Sequence, residues 1–249
     1  MSFPNVIYGS DGDQFNVSTV TAAGQLSPAL GDQMVLNDGR KYRYTRASHS
    51  VAVVVAKLYQ APIPVPNHVL QTAAAAAIGA TSVALTIGAT AVTANQYHNG
   101  FLVVDLAANA GFGYTYGIDK HPADPGGDAF TVPLKTKVQV AIDTTANSVS
   151  LVPCKYAGII LAIATTPTAN IAGVSVKPLP VDNYGWTQTR GPCMCLTTGT
   201  IVIGQKVFAS TTTGAVITEG AFTVQPTIGF VERVATTTNY STIDIRVDG

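Results

Sequence analysis

The chain has 249 residues, a formal net charge of zero at pH 7, and only 11% charged residues against 47% hydrophobic ones. Average soluble domains carry roughly 25% charged residues, so uncharged side chains must cover much of this surface. The composition excludes a disordered chain, and the absence of a basic excess argues against nucleic acid as a partner. No apolar run reaches the roughly 18 residues of a membrane helix, so no membrane partner is expected. The opening MSFPNVIYGSDGD has neither a basic segment nor an apolar one, so a secretory signal is not expected.

Residues 1 to 66 read as an irregular N-terminal arm and contact segment, closed by Ala61-Pro62-Ile63-Pro64-Val65-Pro66. Alternating prolines lack amide donors and stiffen the chain, which marks a boundary. Within the arm, Asn37-Asp38-Gly39 is a strong turn signal, and Tyr42 and Tyr44 fall on one face of the strand that follows. Thr72 to Ala77 contains five alanines but ends at Gly79 without an apolar stripe, so an extended or single-turn linker is expected.

Strand signals then recur. Val83, Leu85 and Ile87 alternate with polar or small residues, as do Phe130, Val132 and Leu134, then Val138, Val140 and Ile142, and finally Ile243, Ile245 and Val247. Period 2 puts each apolar set on one face of a sheet. Turn residues separate the runs, notably Pro125-Gly126-Gly127-Asp128, Gly199, Gly214 and Gly220. The spacing predicts a first β domain over residues 67–155 and a second over 156–249, with Leu151 to Ala164 as one buried strand pair. The expected fold class is all-β: an extended N-terminal arm followed by one or two antiparallel β-sandwich or barrel units.

Catalytic chemistry has no visible home. The four histidines (His49, His68, His98, His121) lack carboxylates at metal-ligand spacing, and surface or hydrogen-bonded rings are expected. Cys193-x-Cys195 has one intervening residue instead of the two of redox or zinc motifs, and on a strand it places two small apolar groups on one face. With three cysteines in all, no disulfide framework is expected. Asp11-Gly12-Asp13 lacks the rest of a calcium loop and reads as a solvated turn. Glutamate occurs only at Glu219 and Glu232, no G-x-S-x-G or P-loop is present, and Gly111-Phe112-Gly113 precedes a strand instead of a helix. The expectation is a non-enzymatic protein with no cofactor and no metal.

Several stretches, in order along most of the chain, resemble a recurrent family of tailed-bacteriophage virion structural proteins of the head decoration (cement) type. They are Leu36-Asn37-Asp38-Gly39-Arg40-Lys41-Tyr42-Arg43-Tyr44; Gln60-Ala61-Pro62; Ala80-Thr81-Ser82-Val83-Ala84-Leu85-Thr86; Gly100-Phe101-Leu102-Val103-Val104; and Gly113-Tyr114-Thr115-Tyr116-Gly117-Ile118. The most specific is Tyr184-Gly185-Trp186-Thr187-Gln188-Thr189-Arg190-Gly191-Pro192-Cys193, followed by Gly204-Gln205-Lys206-Val207 and Pro226-Thr227-Ile228-Gly229-Phe230-Val231. The resemblance implies a component of the virion outer surface, made in the bacterial cytoplasm, with the major capsid protein and its own copies, as a homotrimer, for partners. Trp186 is expected as a core anchor, alternatively as an interface hot spot with Arg190 or a sugar-stacking ring. An adhesive or carbohydrate-binding β module on a tail or head fibre is the rival expectation.

Overall fold

The computed structural model describes residues 6–19, 28–144, 148–163, 168–218, 226–235 and 239–248. The chain is nearly all β and divides into two compact units, residues 1–62 with 155–249 and residues 63–154. The first unit contains β1 (Val6–Gly9), β2 (Gln33–Leu36), β3 (Lys41–Ala47) and β4 (Leu58–Gln60). The second contains β5 (Thr72–Ala73), β6 (Ser82–Thr86), β7 (Phe101–Val104), β8 (Thr115–Gly117), β9 (Ala129–Pro133) and β10 (Val149–Val152). The chain then returns to the first unit with β11 (Ala157–Leu161), β12 (Ile171–Ser175), β13 (Tyr184–Leu196), β14 (Lys206–Ala209), β15 (Val216–Thr218), β16 (Gly229–Arg233) and β17 (Tyr240–Arg246).

In the first unit, hydrogen bonding runs in the order β1-β2-β3-β11-β4-β12-β13-β17-β16-β14-β15, with β3 also paired to β13. That extra pairing closes β3, β11, β4, β12 and β13 into a five-stranded ring. Ala47, Tyr59, Ile159 and Ala172, from four of those strands, form one buried cluster with Val53 and Leu179. Closure removes exposed edges from these strands. A Cβ at Gly185 on β13 would lie 2.4 Å from the Leu179 side chain, so glycine there leaves room for the buried Leu179. A second cluster forms where the far half of β13 meets β14, β16 and β17, and includes Cys193, Cys195, Val207, Val231, Ile243 and Ile245.

The segment expected as an N-terminal arm over 1–66 does not stand apart. Its strand β3 pairs with β13 from Tyr184↔Arg46 to Arg190↔Lys41, and β4 pairs with both β11 and β12. Apolar alternation on β3 is masked by Arg43 and Arg46, which is why the segment reads as irregular. Two pairings, β1 with β2 and β11 with β3, are parallel where antiparallel sheets were expected. The strand pair expected from Leu151 to Ala164 is split, since β10 belongs to one unit and β11 to the other.

The second unit holds two three-stranded antiparallel sheets, β5-β6-β9 and β10-β7-β8. Single antiparallel bridges, Gln71↔Val149 and Ile118↔Leu134, join them at both sides and close a six-stranded ring. Val83, Leu85, Phe130 and Val132 of one sheet meet Leu102, Val104, Tyr116 and Leu151 of the other in a single core. The alanine run is extended, as β5 and an Ala76↔Ile142 bridge. The expected strand at Val138–Ile142 is absent: Val138 and Ile142 bury their side chains, but the backbone there makes only that one bridge.

Two histidines are fixed in this second core. His68 Nε2–H donates to the Thr90 carbonyl at 2.8 Å, so its Nδ1 accepts the Tyr97 hydroxyl at 2.6 Å. His121 Nε2 accepts the Tyr97 backbone N–H at 3.0 Å, and its Nδ1–H donates to the Pro122 carbonyl at 2.8 Å. A proton added to His121 Nε2 therefore meets a backbone donor already in place. Burial holds the His121 pKa below the ordinary histidine value, with the Pro122 carbonyl opposing the shift.

Two outcomes are expected. Deleting residues 1–62 removes β3 and β4 and should abolish the cooperative unfolding of the first unit, instead of trimming a dispensable arm. Because the folded His121 pKa is depressed, the unfolded chain binds the proton more readily. Stability of the second unit is full above about pH 6.5 and falls as pH drops through that value. Protection factors of the Leu102 and Tyr116 amides, taken relative to the intrinsic exchange rate at each pH, should fall between pH 7 and pH 5, and His121→Gln should flatten that dependence.

Candidate functional site

The side chains singled out in the sequence meet on β13 and its neighbours. Trp186 lies directly across from Tyr44, and Gln188 across from Tyr42. Tyr42, Tyr44 and Trp186 therefore share one face, where they pack with Met34 and Leu36 of β2. The Tyr44 and Trp186 rings meet edge to face at 5.0 Å, and Tyr184 stacks on Tyr44 at 5.8 Å. Such pairs add about 0.5–1.5 kcal/mol beyond area burial. Trp186 is 6% exposed, which makes it a core anchor and withdraws it from both the hot-spot and sugar-stacking roles. Tyr44 also bonds the Ser18 hydroxyl at 2.5 Å.

Arg190 is separated from that cluster. The β3–β13 register shifts between Gln188 and Arg190, which breaks the two-residue periodicity linking Arg190 to Trp186. The buried Gln188 amide holds the irregularity by donating toward the Arg190, Gly191 and Pro192 carbonyls at 3.1, 3.1 and 2.8 Å. Gly191 has φ +86°, and a Cβ there would lie 3.0 Å from Arg40 Cγ, so glycine lets the two chains approach.

Arg190 instead lines a cleft of about 310 Å³ with Asp38, Gly39, Arg40, Gly191, Asp244, Arg246 and Asp248. Six of these eight side chains are charged, in a chain with 14 basic and 14 acidic residues in all. Arg40 organises one wall: its Nε donates to Asp38 at 2.6 Å, Nη1 to the Tyr42 hydroxyl at 3.0 Å and Nη2 to Asp11 at 3.0 Å. Burial works against the Arg40 cation, but Asp38 and Asp11 outweigh it and raise its pKa. The Arg40 backbone N–H is the main cause that lowers the Asp38 pKa; slight burial opposes it and the Arg40 guanidinium adds to it. Burial pushes the Tyr42 phenol up to about 12 despite Arg40 beside it. On the other wall Arg246 pairs with Asp244 at 2.7 Å and lies over the Phe230 ring at 4.7 Å, while Asp248 takes Arg43 at 2.6 Å. Arg190 forms no ion pair among the described residues.

Sequence reasoning singled out Arg190 but missed Arg40, Asp244 and Arg246 as its neighbours. The available signal was the i, i+2 spacing in Asp244-x-Arg246, which on a strand sets acid and base on one face, and in Asp38-Gly39-Arg40, where the turn brings the two side chains together. Asp11-Gly12-Asp13 forms a turn capped by its own side chains, with Asp13 accepting the Ser10 N–H at 2.7 Å. Among the described residues, no three His, Cys, Asp or Glu side chains are placed to hold a metal ion. Cys193 and Cys195 are buried on one face of β13, and burial pushes both thiols up, Cys195 to about 12. They are protonated at neutral pH and poor nucleophiles. The arrangement suits recognition of a charged, hydrogen-bonding surface by a rigid bed of guanidinium and carboxylate groups.

No protein family, curated protein or solved structure matches the chain.

The two roles are separable by denaturant unfolding. Trp186→Ala should cost roughly 3–5 kcal/mol of stability, as for other buried large-to-small changes. Arg190→Ala should stay within about 0.5 kcal/mol. A larger loss at Arg190 than at Trp186 would contradict the assignment.

Proposed function

We propose that the chain is a virion structural protein, a decoration protein that binds the expanded head lattice of a tailed bacteriophage and stabilises it by bridging capsomers. The observation that carries this reading is a ridge of exposed valines on the first unit, bordered by the His49–Asp182 pair. Val51, Val54, Val55 and Val181 are 51, 47, 41 and 45% exposed. The Val53↔Leu179 bridge and the hydrogen bond from the Asp182 N–H to the Ser48 carbonyl bracket Val51 and Val181 on adjacent chains. A contiguous apolar patch of this kind marks a surface that other protein covers. The charged cleft around Arg190 supplies the directional polar contacts such an interface needs at its rim. The resemblance of the motifs around Asp38-Gly39-Arg40 and Trp186 to virion proteins supports the same reading. Binding that favours the expanded shell over its precursor stabilises it by linkage, and repetition over the lattice adds avidity. A homotrimer fits the local three-fold positions of such a shell.

One observation favours a carbohydrate-binding module instead. Phe112 and Tyr114, 52 and 42% exposed, lie between β7 and β8, where Tyr114 stacks on the buried Tyr116 at 6.2 Å. Exposed rings on a rigid support can stack on sugars.

Quantitative mass spectrometry of purified virions tests the first reading. Hundreds of copies per particle, together with loss of binding to expanded shells in Val51→Asp/Val181→Asp, are the expected result. A dozen copies or fewer moves the chain to a tail or fibre. Glycan-array binding abolished by Tyr114→Ala would support the adhesive reading.

A further inference from the structure

The first unit contains a second and larger cleft, about 560 Å³ in volume, beside β4, β12 and β17. Small-ligand sites occupy roughly 300–1,000 Å³, so the volume suits a compact molecule or a few residues of extended chain. One side is aliphatic, formed by Ile163, Ile171, Ile228 and Val247. Ile163 is 42% exposed there, an apolar surface left to water.

Both charged side chains lining the cleft, Lys155 and Arg246, are cationic. Arg246 is already paired with Asp244 at 2.7 Å. Lys155 is half-buried and has no carboxylate within ion-pair distance among the described residues; its ammonium lies 5.2 Å from the centre of the Tyr156 ring. Burial lowers its pKa, with the charge of Asp248 raising it and that of Arg43 lowering it further. On the adjacent polar wall the buried Gln60 amide is engaged at both ends. Its Nε2 donates to Thr168 Oγ1 at 2.7 Å, and its Oε1 accepts the Ile163 N–H at 3.3 Å. A half-buried cation that forms no ion pair among the described residues, its acidic influence Asp248 being taken by Arg43 at 2.6 Å, lies next to a partly exposed aliphatic wall and is complementary to a group that is anionic at one end and apolar along its length.

We propose that this cleft binds a carboxylate carried on an aliphatic stem, the anion pairing with the Lys155 ammonium and the stem lying along Ile163, Ile171, Ile228 and Val247. The carboxylate comes either from a small aliphatic acid or from an acidic residue between apolar neighbours in an extended peptide. The inference is independent of the virion reading, since it concerns only what fills this cleft.

The test is an amide NMR titration of the full chain with hexanoate, with hexan-1-ol, and with the peptide acetyl-Ala-Val-Asp-Val-Ala-amide beside its Asp→Asn counterpart. Hexanoate or the Asp peptide should shift the Ile171, Ile228 and Val247 amides saturably. The uncharged analogue should bind at least about tenfold more weakly, the effect of one charge-assisted hydrogen bond. Lys155→Met, which keeps the stem, should remove that preference, and Lys155→Arg should retain it. Saturation by hexanoate alone identifies a small acid, and saturation by the Asp peptide alone a protein segment. No saturation by either, equal binding of the uncharged analogues, or a preference that survives Lys155→Met would overturn the proposal.

Discussion

The first unit depends on the hydrogen-bond register of one strand. β13 runs for 13 residues; its first half pairs with β3 and β12, and its second half with β17. Two of these neighbours, β3 and β17, come from opposite ends of the chain, so β13 is where the N-terminal and C-terminal stretches become one sheet. Its register places Trp186 opposite Tyr44 and Cys193 opposite Ile243, and thereby joins two separate apolar clusters along a single backbone. A one-residue slip would turn each set to the opposite face. The Gln188 amide, bonded toward three consecutive carbonyls, holds the point where the register changes.

That irregularity also divides stability from recognition. Before it, aromatic side chains are buried and contribute packing. After it, Arg190 reaches solvent in a cleft whose lining is mostly charged. Exposed ion pairs contribute about 0–1 kcal/mol, so this cluster adds little to folding. Its effect is to hold guanidinium and carboxylate groups in fixed directions on a surface otherwise poor in charge. The apolar ridge at Val51 and Val181 and the Lys155 cleft belong to the same unit.

Both units close their strands into rings, but by different means. The second uses antiparallel sheets joined by single bridges around one core. The first needs a parallel pairing between β3 and β11, because the chain leaves after β4 and returns only at β11, with the whole second unit intervening. The sheet order ends at β1 and at β15, the latter bridged further by Thr197 to Val216. Tyr8 on β1 is 84% exposed, so this edge carries an aromatic ring into solvent.

Local chemistry determined much of this protein from sequence alone. The all-β class follows from period-2 alternation at Val83–Ile87, Phe130–Leu134 and Ile243–Val247, since alternation and strand burial are the same geometric fact. The shared face of Tyr42 and Tyr44 and the paired orientation of Cys193 and Cys195 follow for the same reason, whereas Trp186 lies in a stretch buried on both faces, from Gly185 to Thr189. Tertiary structure decided what depends on distant partners. Residues 1–66 read as an arm because Arg43 and Arg46 interrupt the apolar pattern, yet β13 recruits β3 from among them as a central strand. The Val138–Ile142 alternation lacks a full partner strand and keeps its buried side chains and isolated backbone bonds to Gly79, Ala80 and Ala76. The charged cleft joins Asp38 and Arg40 to Asp244 and Arg246, about 200 positions apart in numbering, and only the β3–β13–β17 pairing brings them together. Periodicity reports which face a side chain takes; which strand lies alongside is set by the packing of the whole sheet.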